Sequence, residues 1–235
     1  EGKPETYFRE RSTPFGKDNE LIIPSPVSWD EWKEIIRHCF AHITMIDAAG
    51  GMILNKLKEL GLDENTMIIW TTDHGDALAS HGGHFDKGSF LSEEVMRIPF
   101  AIKWKDVIPA GQVRHEYINT VDYPVTILDA AGTKFTKNKV HGRSLLPLVT
   151  GKSTEWDDDV MSETFGHGYG DDIDCRLVVH DEYKLVVTKG QKAELYNLRE
   201  DPYELHNRID DEEYKEIKED LIKRLRAWQV RTDDP

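Results

Sequence analysis

"MIIWTTDHGDALASHGGHFDKGSF", residues 67–90, joins a short apolar run to a polar, glycine-rich segment, and the run decides the fold. Met67, Ile68, Ile69 and Trp70 show no alternation of apolar and polar side chains. A run of this kind predicts a strand buried on both faces, the habit of parallel sheets in α/β folds. Upstream, Ser28 and Glu31 have capping-box spacing ahead of Trp32, Ile35, Ile36, Cys39, Phe40, Ile43, Ile46, Ile53, Leu57 and Leu60. That series predicts one long amphipathic helix, stopped by Gly61 as a left-handed cap. The polar segment therefore starts at the carboxyl end of a strand, where open α/β sheets place their ligand sites.

Downstream, Glu93 to Arg97 reads as a helical turn leading into a second strand over residues 98–102, with Pro99 near its start. A short helix from Pro124 to Ala131 with Gly132 as its stop follows, and Asp122 is expected to cap it. From about residue 158 the pattern changes. Residues 160–163, 176–179, 184–187 and 193–196 are short strands between turn residues, an antiparallel meander. Tyr214, Ile217, Leu221, Leu225 and Trp228 then lie on one face of a last helix. The expected organisation is an α/β domain over residues 1–157 with a mostly parallel sheet. A small α+β subdomain over 158–235 follows, with an antiparallel sheet covered by one helix.

The 235 residues carry a formal net charge of −14, with 38% hydrophobic residues and six tryptophans to furnish a core. Such an acidic balance repels nucleic-acid phosphates and is compatible with binding a hard cation. Cys39 and Cys175 are the only cysteines, which excludes a disulfide scaffold and a cysteine-rich zinc module. No apolar run approaches the roughly 18 residues of a membrane-spanning helix. The chain opens on Glu1-Gly2-Lys3-Pro4, without an initiator methionine or signal peptide, and reads as a piece of a longer protein.

Asp73 and His74 are adjacent where the backbone leaves the pleat, so both side chains can turn toward one point. Lys87, thirteen residues on, offers an ammonium for an anionic group near that point. Together they pair cation ligands with an anion contact. The plainer alternative is a turn, with Asp73 capping and Gly75 taking an unusual backbone angle. His81 and His84 have a spacing that zinc also uses, but in a glycine-rich loop they read as substrate contacts or surface groups. Asp47 reads as a structural carboxylate tying the long helix to a neighbour, and Glu94 with Arg97 as a structural ion pair.

Residues 41–104 resemble the type I sulfatases of the alkaline phosphatase superfamily. The similarity runs through "GLDENT", the apolar strand, "DHGD", "HGG", a lysine, and "MRIPF". Further on, "NTVDYPVTILDAAG", "HGRSLLPLVTG", "EYKLV" and "AELYNLREDPYELHN" are similar to the family's later segments, in the same order. The resemblance implies a partial alkaline-phosphatase-like sandwich and a sulfuric ester hydrolase. Asp73 and His74 are then expected to ligate an active-site Ca2+, His74 standing where other members often have Asn. Lys87 is expected to contact the sulfate and neutralise the leaving oxygen. His81 is expected to line the catalytic pocket. His84 has no counterpart in the family's pattern and is expected to touch the substrate; His167 is expected to do so from the loop "SETFGHGYGDDIDCRLV", which also holds Glu163, Tyr169, Asp171 and Arg176 and which the family can fold over its pocket, while an ordinary hairpin loop fits that stretch as well.

The family's nucleophile is a formylglycine made in a Cys-x-Pro-x-Arg or Ser-x-Pro-x-Arg motif, and neither cysteine here stands in one. The early aspartates and the Lys-x-His and Pro-Pro-His segments of the family are also missing. Residues 4–10, "PETYFRE", are similar to the text that follows those segments. The resemblance thus implies the C-terminal half or more of a sulfatase, inactive by itself, acting when complete on a sulfated small molecule or glycan. A periplasmic, secreted or lysosomal compartment is the family expectation. Two alternatives stay open: a phosphodiesterase or phosphonate monoester hydrolase of the same superfamily, and a non-catalytic binding piece.

Overall fold

A computed structural model describes residues 2–3, 28–84, 87, 91–136, 139–152, 155–166 and 173–234. These fall in two compact units. One lies within Glu10–Gly88 and Glu94–Gly111, the other within Glu1–Arg9, Ser89–Glu93 and Gln112–Pro235. The division near residue 111 precedes the change of pattern near 158, so the helices of residues 112–152 group with the antiparallel sheet.

In the first unit, α1 (Trp29–Glu59) begins as its residues predict. The Ser28 hydroxyl accepts the Glu31 N–H at 3.3 Å, and the Glu31 carboxylate accepts the Ser28 N–H at 2.8 Å. It ends at Leu60, with Gly61 in the left-handed region at φ +66°. β1 (Ile68–Thr71) pairs with β2 (Phe100–Lys103) in antiparallel register, Ile69 opposite Ile102. α2 (Glu93–Met96) precedes β2.

Three expectations are corrected here. The partner of β1 among the described residues is antiparallel, so here the unalternating run does not mark a parallel pairing. Nor is β1 buried on both faces, since Trp70 is 45% exposed. Of the apolar series on α1 only Trp32 is buried, and Asp47 is exposed instead of tied to a neighbour. The lengths explain this: a helix of 31 residues spans about 46 Å, while a strand of four covers only about 13 Å of it.

In the second unit, β3 (Asp159–Thr164), β4 (Cys175–His180), β5 (Tyr183–Thr188) and β6 (Glu194–Asn197) form the expected meander, every neighbouring pair antiparallel. α5 (Lys215–Thr232) closes it by setting Leu221 and Leu225 against Val178, Leu185 and Leu195. Inside this unit Lys184 is fully buried between Glu204 at 2.7 Å and Glu93 at 3.0 Å. Burial alone would lower its pKa, but attraction to Glu204 and Glu93 outweighs burial and holds it above the ordinary value.

α3 (Asp122–Ala130) and α4 (Leu146–Val149) complete the second unit. Asp122 does not stand at the cap position, which Val121 holds. It is the first helical residue, buried, and its two oxygens accept the backbone N–H groups of Asn119 and Arg143, each at 2.9 Å. It thereby binds two loop segments together.

Candidate active site

The chain leaves β1 at Thr71, and the next residues turn back on themselves. Asp73 Oδ1 accepts the Thr72 hydroxyl at 3.2 Å and the His74 N–H at 3.0 Å. The other oxygen, Oδ2, lies 3.5 Å from His74 Nε2. The Asp73 side chain is 82% exposed. A hydrogen bond from its own N–H, and the pull of the His74 ring when protonated, hold its carboxyl below the usual range. Asp73 is therefore an anion with one oxygen anchored and one presented.

His74 is oriented from both ends. Its Nδ1 lies 2.8 Å from the Gly75 carbonyl, and its Nε2 lies 2.9 Å from Lys87 Nζ. A carbonyl only accepts and an ammonium only donates, so both partners select the same tautomer. In it Nδ1–H donates to Gly75 and the Nε2 lone pair faces outward. A cation has thus been brought to the outward nitrogen of His74, beside the free oxygen of Asp73.

Gly75 is the hinge of this arrangement. Its N–H donates to the Val95 carbonyl at 2.8 Å, and a Cβ built on it would stand 1.9 Å from the Glu94 carbonyl oxygen. Only glycine allows this approach. Beyond it, Leu78, Ala79 and His81 have φ of 38°, 78° and 51°, three non-glycine residues in the left-handed region, joined by Gly82 and Gly83 at 91° and 100°. Strain of this density persists only where surrounding packing imposes it, and it concentrates at functional loops. Trp32 supplies part of that packing, its indole 3.7 Å from where a Cβ on Gly83 would be.

The structure brings Asp73, His74 and Lys87 together. His81 is half-buried, its side chain only 5% exposed, and its Nε2 meets Glu94 Oε2 at 3.0 Å, so the Glu94 carboxylate that the sequence pairs with Arg97 holds the histidine of the loop. His84 is buried at 1% exposure. His167, Tyr169 and Asp171 lie outside the described residues. Glu163 and Arg176 face each other across β3 and β4, and Arg176 makes two 2.6 Å bonds to Asp234, which makes it a tie to the C-terminus. The turn reading gives Gly75 a positive backbone angle, which it does not take; its close approach to Glu94 and the His81–Glu94 pair were missed, because close backbone approach and a contact over thirteen residues leave no local pattern.

A hard divalent cation takes six to eight oxygen-rich ligands. The presented Asp73 oxygen suits such a cation in type, and the Nε2 lone pair of His74, 3.5 Å away, adds a nitrogen donor beside it; together they amount to only part of its shell. Lys87 stands on the His74 nitrogen that a metal would use, so the two positive groups share one position or lie side by side.

Comparison with known proteins identifies the family. Residues 3–133 match the sulfatase family, and residues 80–231 match the family described as N-sulphoglucosamine sulphohydrolase, C-terminal. An N-acetylglucosamine-6-O-sulfatase of Bacteroides thetaiotaomicron is 29% identical over 217 residues, which are 88% of this chain and 38% of that protein. An arylsulfatase of Clostridium perfringens is 32% identical over 193 residues, 79% of this chain and 39% of that protein. A solved structure of a protein in complex with its substrate D-glucosamine-2-N,6-O-disulfate superimposes with a TM-score of 0.79 at 26% identity, covering 87% of this chain and 42% of that one. The chain spans about two fifths of the length of these relatives.

Proposed function

The chain belongs to the sulfatase family, type I, of the alkaline phosphatase superfamily, and from that premise we propose that it is the C-terminal part of an enzyme that hydrolyses sulfate esters. The convergence of Asp73, His74 and Lys87 at the end of β1 carries this reading. Asp73 and His74 hold part of a Ca2+ shell, the carboxylate by charge and the imidazole through the nitrogen that its Gly75 bond leaves bare. Bound there, Ca2+ would supply charge stabilisation for the oxygens of the reacting group. Lys87 moves from His74 to the sulfate and offers its ammonium to the departing oxygen. His81, fixed by Glu94, holds the strained loop as a wall of the pocket, and His84 is buried in the same loop.

The preferred substrate class is a sulfated amino sugar or glycan. That choice rests on the relatives, an N-acetylglucosamine-6-O-sulfatase and a structure holding a disulfated glucosamine. Contact of His167 with the sugar rests on family resemblance, as does a periplasmic, secreted or lysosomal compartment. No described helix is long and apolar enough to cross a membrane. Neither formylglycine motif occurs in the 235 residues, so the chain by itself is expected to show no turnover.

The test is to assay the full gene product containing this chain on an aryl sulfate, glucosamine 6-sulfate and an aryl phosphonate monoester. Sulfate esters should be cleaved faster. Lys87→Ala should lower that rate about 10²- to 10³-fold, the usual loss for one transition-state donor. Faster phosphonate turnover, or a Lys87→Ala enzyme at full rate, would overturn the reading.

A further inference from the structure

Residues 75–86 separate His74 from Lys87, yet Lys87 Nζ returns to within 2.9 Å of His74 Nε2. The return runs through the left-handed stretch of Leu78, Ala79 and His81, a conformation that residues with a side chain adopt only at a cost. A free loop would leave it, so neighbouring groups must impose it. Part of the constraint is local. The Leu78 N–H donates to Asp76 Oδ1 at 2.9 Å, the Ala79 N–H to the His84 carbonyl at 2.7 Å, the Gly83 N–H to the Ala79 carbonyl at 3.2 Å and the His84 N–H to the Ser80 carbonyl at 3.0 Å. The last three make residues 79–84 one closed turn. Bonds internal to a turn fix its shape, and its orientation has to come from outside.

Glu94, on α2, supplies that orientation. Its carboxylate meets His81 Nε2 at 3.0 Å, with the two side chains 23% and 5% exposed. A carboxylate only accepts, so Nε2 carries the proton and donates. A bond to a carboxylate with so little water around it holds its geometry better than an exposed pair does. The main chain beside it meets the start of the same segment. The Glu94 carbonyl leaves no room for a side chain on Gly75, and the Val95 carbonyl accepts the Gly75 N–H at 2.8 Å. Val95 is itself buried. One turn of α2 thus grips the chain twice, at Gly75 directly after His74 and at His81 six residues before Lys87. The separation of these two grips sets how the lysine approaches the Asp73-His74 pair.

We propose that Glu94 is a positioning residue for Lys87: through His81 it orients the 79–84 turn and so places the ammonium beside Asp73 and His74. The role of Lys87 rests on the sulfatase reading, whereas its placement by Glu94 is measurable without turnover.

In this chain, lysines are acetylated with limiting acetic anhydride and each is read by peptide mass spectrometry, the exposed Lys105 and Lys215 serving as internal references. Glu94→Ala should raise acetylation of Lys87 severalfold, because the amine is released from His74, and leave the references unchanged. Glu94→Gln should stay near the original value, since its amide oxygen still accepts from His81. Equal labelling of Lys87 in all three chains would overturn the proposal. In the full gene product, Glu94→Ala should lower kcat on an aryl sulfate by up to about 10²-fold with KM little changed, the pattern of a misplaced transition-state group, and Glu94→Gln should restore most of the rate. Added to Lys87→Ala, Glu94→Ala should cost nothing further, because it acts through that lysine. A full additional loss in the double variant, or no rescue by Glu94→Gln, would also overturn it. A full gene product that cleaves no sulfate ester would instead refute the sulfatase reading, with the acetylation still deciding the placement. If Glu94→Ala does not fold by circular dichroism, Glu94→Asp, which keeps the charge and shortens the reach, is read in the same way.

Discussion

Replacing Gly75 by alanine puts the site geometry under a direct test. The added Cβ would lie 1.9 Å from the Glu94 carbonyl oxygen, where an ordinary contact is about 3.5 Å, so the backbone must part by about 1.5 Å. Overpacking of this kind costs about 1–3 kcal/mol. The Gly75 N–H to Val95 bond lies along the same approach, and losing it costs about another 1 kcal/mol. The smaller entropy of an unfolded alanine gives back about 0.4–1 kcal/mol. The net loss is about 2 kcal/mol, confined to the unit that holds β1. Because the chain has two compact units, a single unfolding midpoint is a poor readout. Amide hydrogen exchange by peptide resolves it. Residues 68–77 should exchange about 30-fold faster, while residues 183–188 of β5 keep their rate. A change under about 0.5 kcal/mol in the first peptide would be that of an ordinary surface substitution and would refute the close approach.

Three further outcomes are expected. The adjacent helical glycines should respond with opposite sign: Gly51→Ala meets nothing within 4 Å and should stabilise α1 by about 1 kcal/mol, whereas Gly50→Ala meets the Trp70 ring at 2.7 Å and should destabilise it. Slower amide exchange of the α1 peptides in both variants would remove Trp70 from the helix face. Lys184→Met should cost the meander about 3–5 kcal/mol in urea unfolding by stranding Glu204 and Glu93, and Glu93→Gln with Glu204→Gln in the same chain should recover most of it. Burial pushes the Cys175 thiol from an ordinary 9.0 up to about 11, against a smaller opposing effect of the Thr188 hydroxyl. Between those values the unfolded chain has lost a proton that the folded chain keeps, so stability is full below pH 9 and falls by roughly 2–3 kcal/mol as pH rises to about 11. Cys175→Ala should shrink that decline, leaving the part that comes from Tyr183, Tyr214 and Lys184, whose pKa values the fold also raises, and an unchanged decline would place the cause elsewhere.

Local patterns carried much of the fold. The capping box of Ser28 and Glu31, the stop at Gly61 and the four strands of the meander rest on neighbours within a few residues, and each is found where the sequence places it. The direction of the β1 partner, the exposure of Trp70 and the role of Asp122 depend on segments 20 to 40 residues away, and the hydrophobic pattern is silent on them. In the candidate site, the Asp73-His74 pair and Lys87 were legible because adjacency at a strand end and residue chemistry restrict what they can do. The pairing of His81 with Glu94 and the burial of His84 were not legible, because a left-handed turn reverses the chain between them.

The sequence alone thus determined which elements form, which family the motifs resemble and which three polar side chains could meet at one point, since these follow from propensity, periodicity and chemical type. Tertiary structure decided the rest. It selected the His74 tautomer through Gly75 and Lys87, made Gly75 indispensable through Glu94, and left the middle of α1 uncovered, because contact distance and burial belong to segments that meet only when the chain has folded.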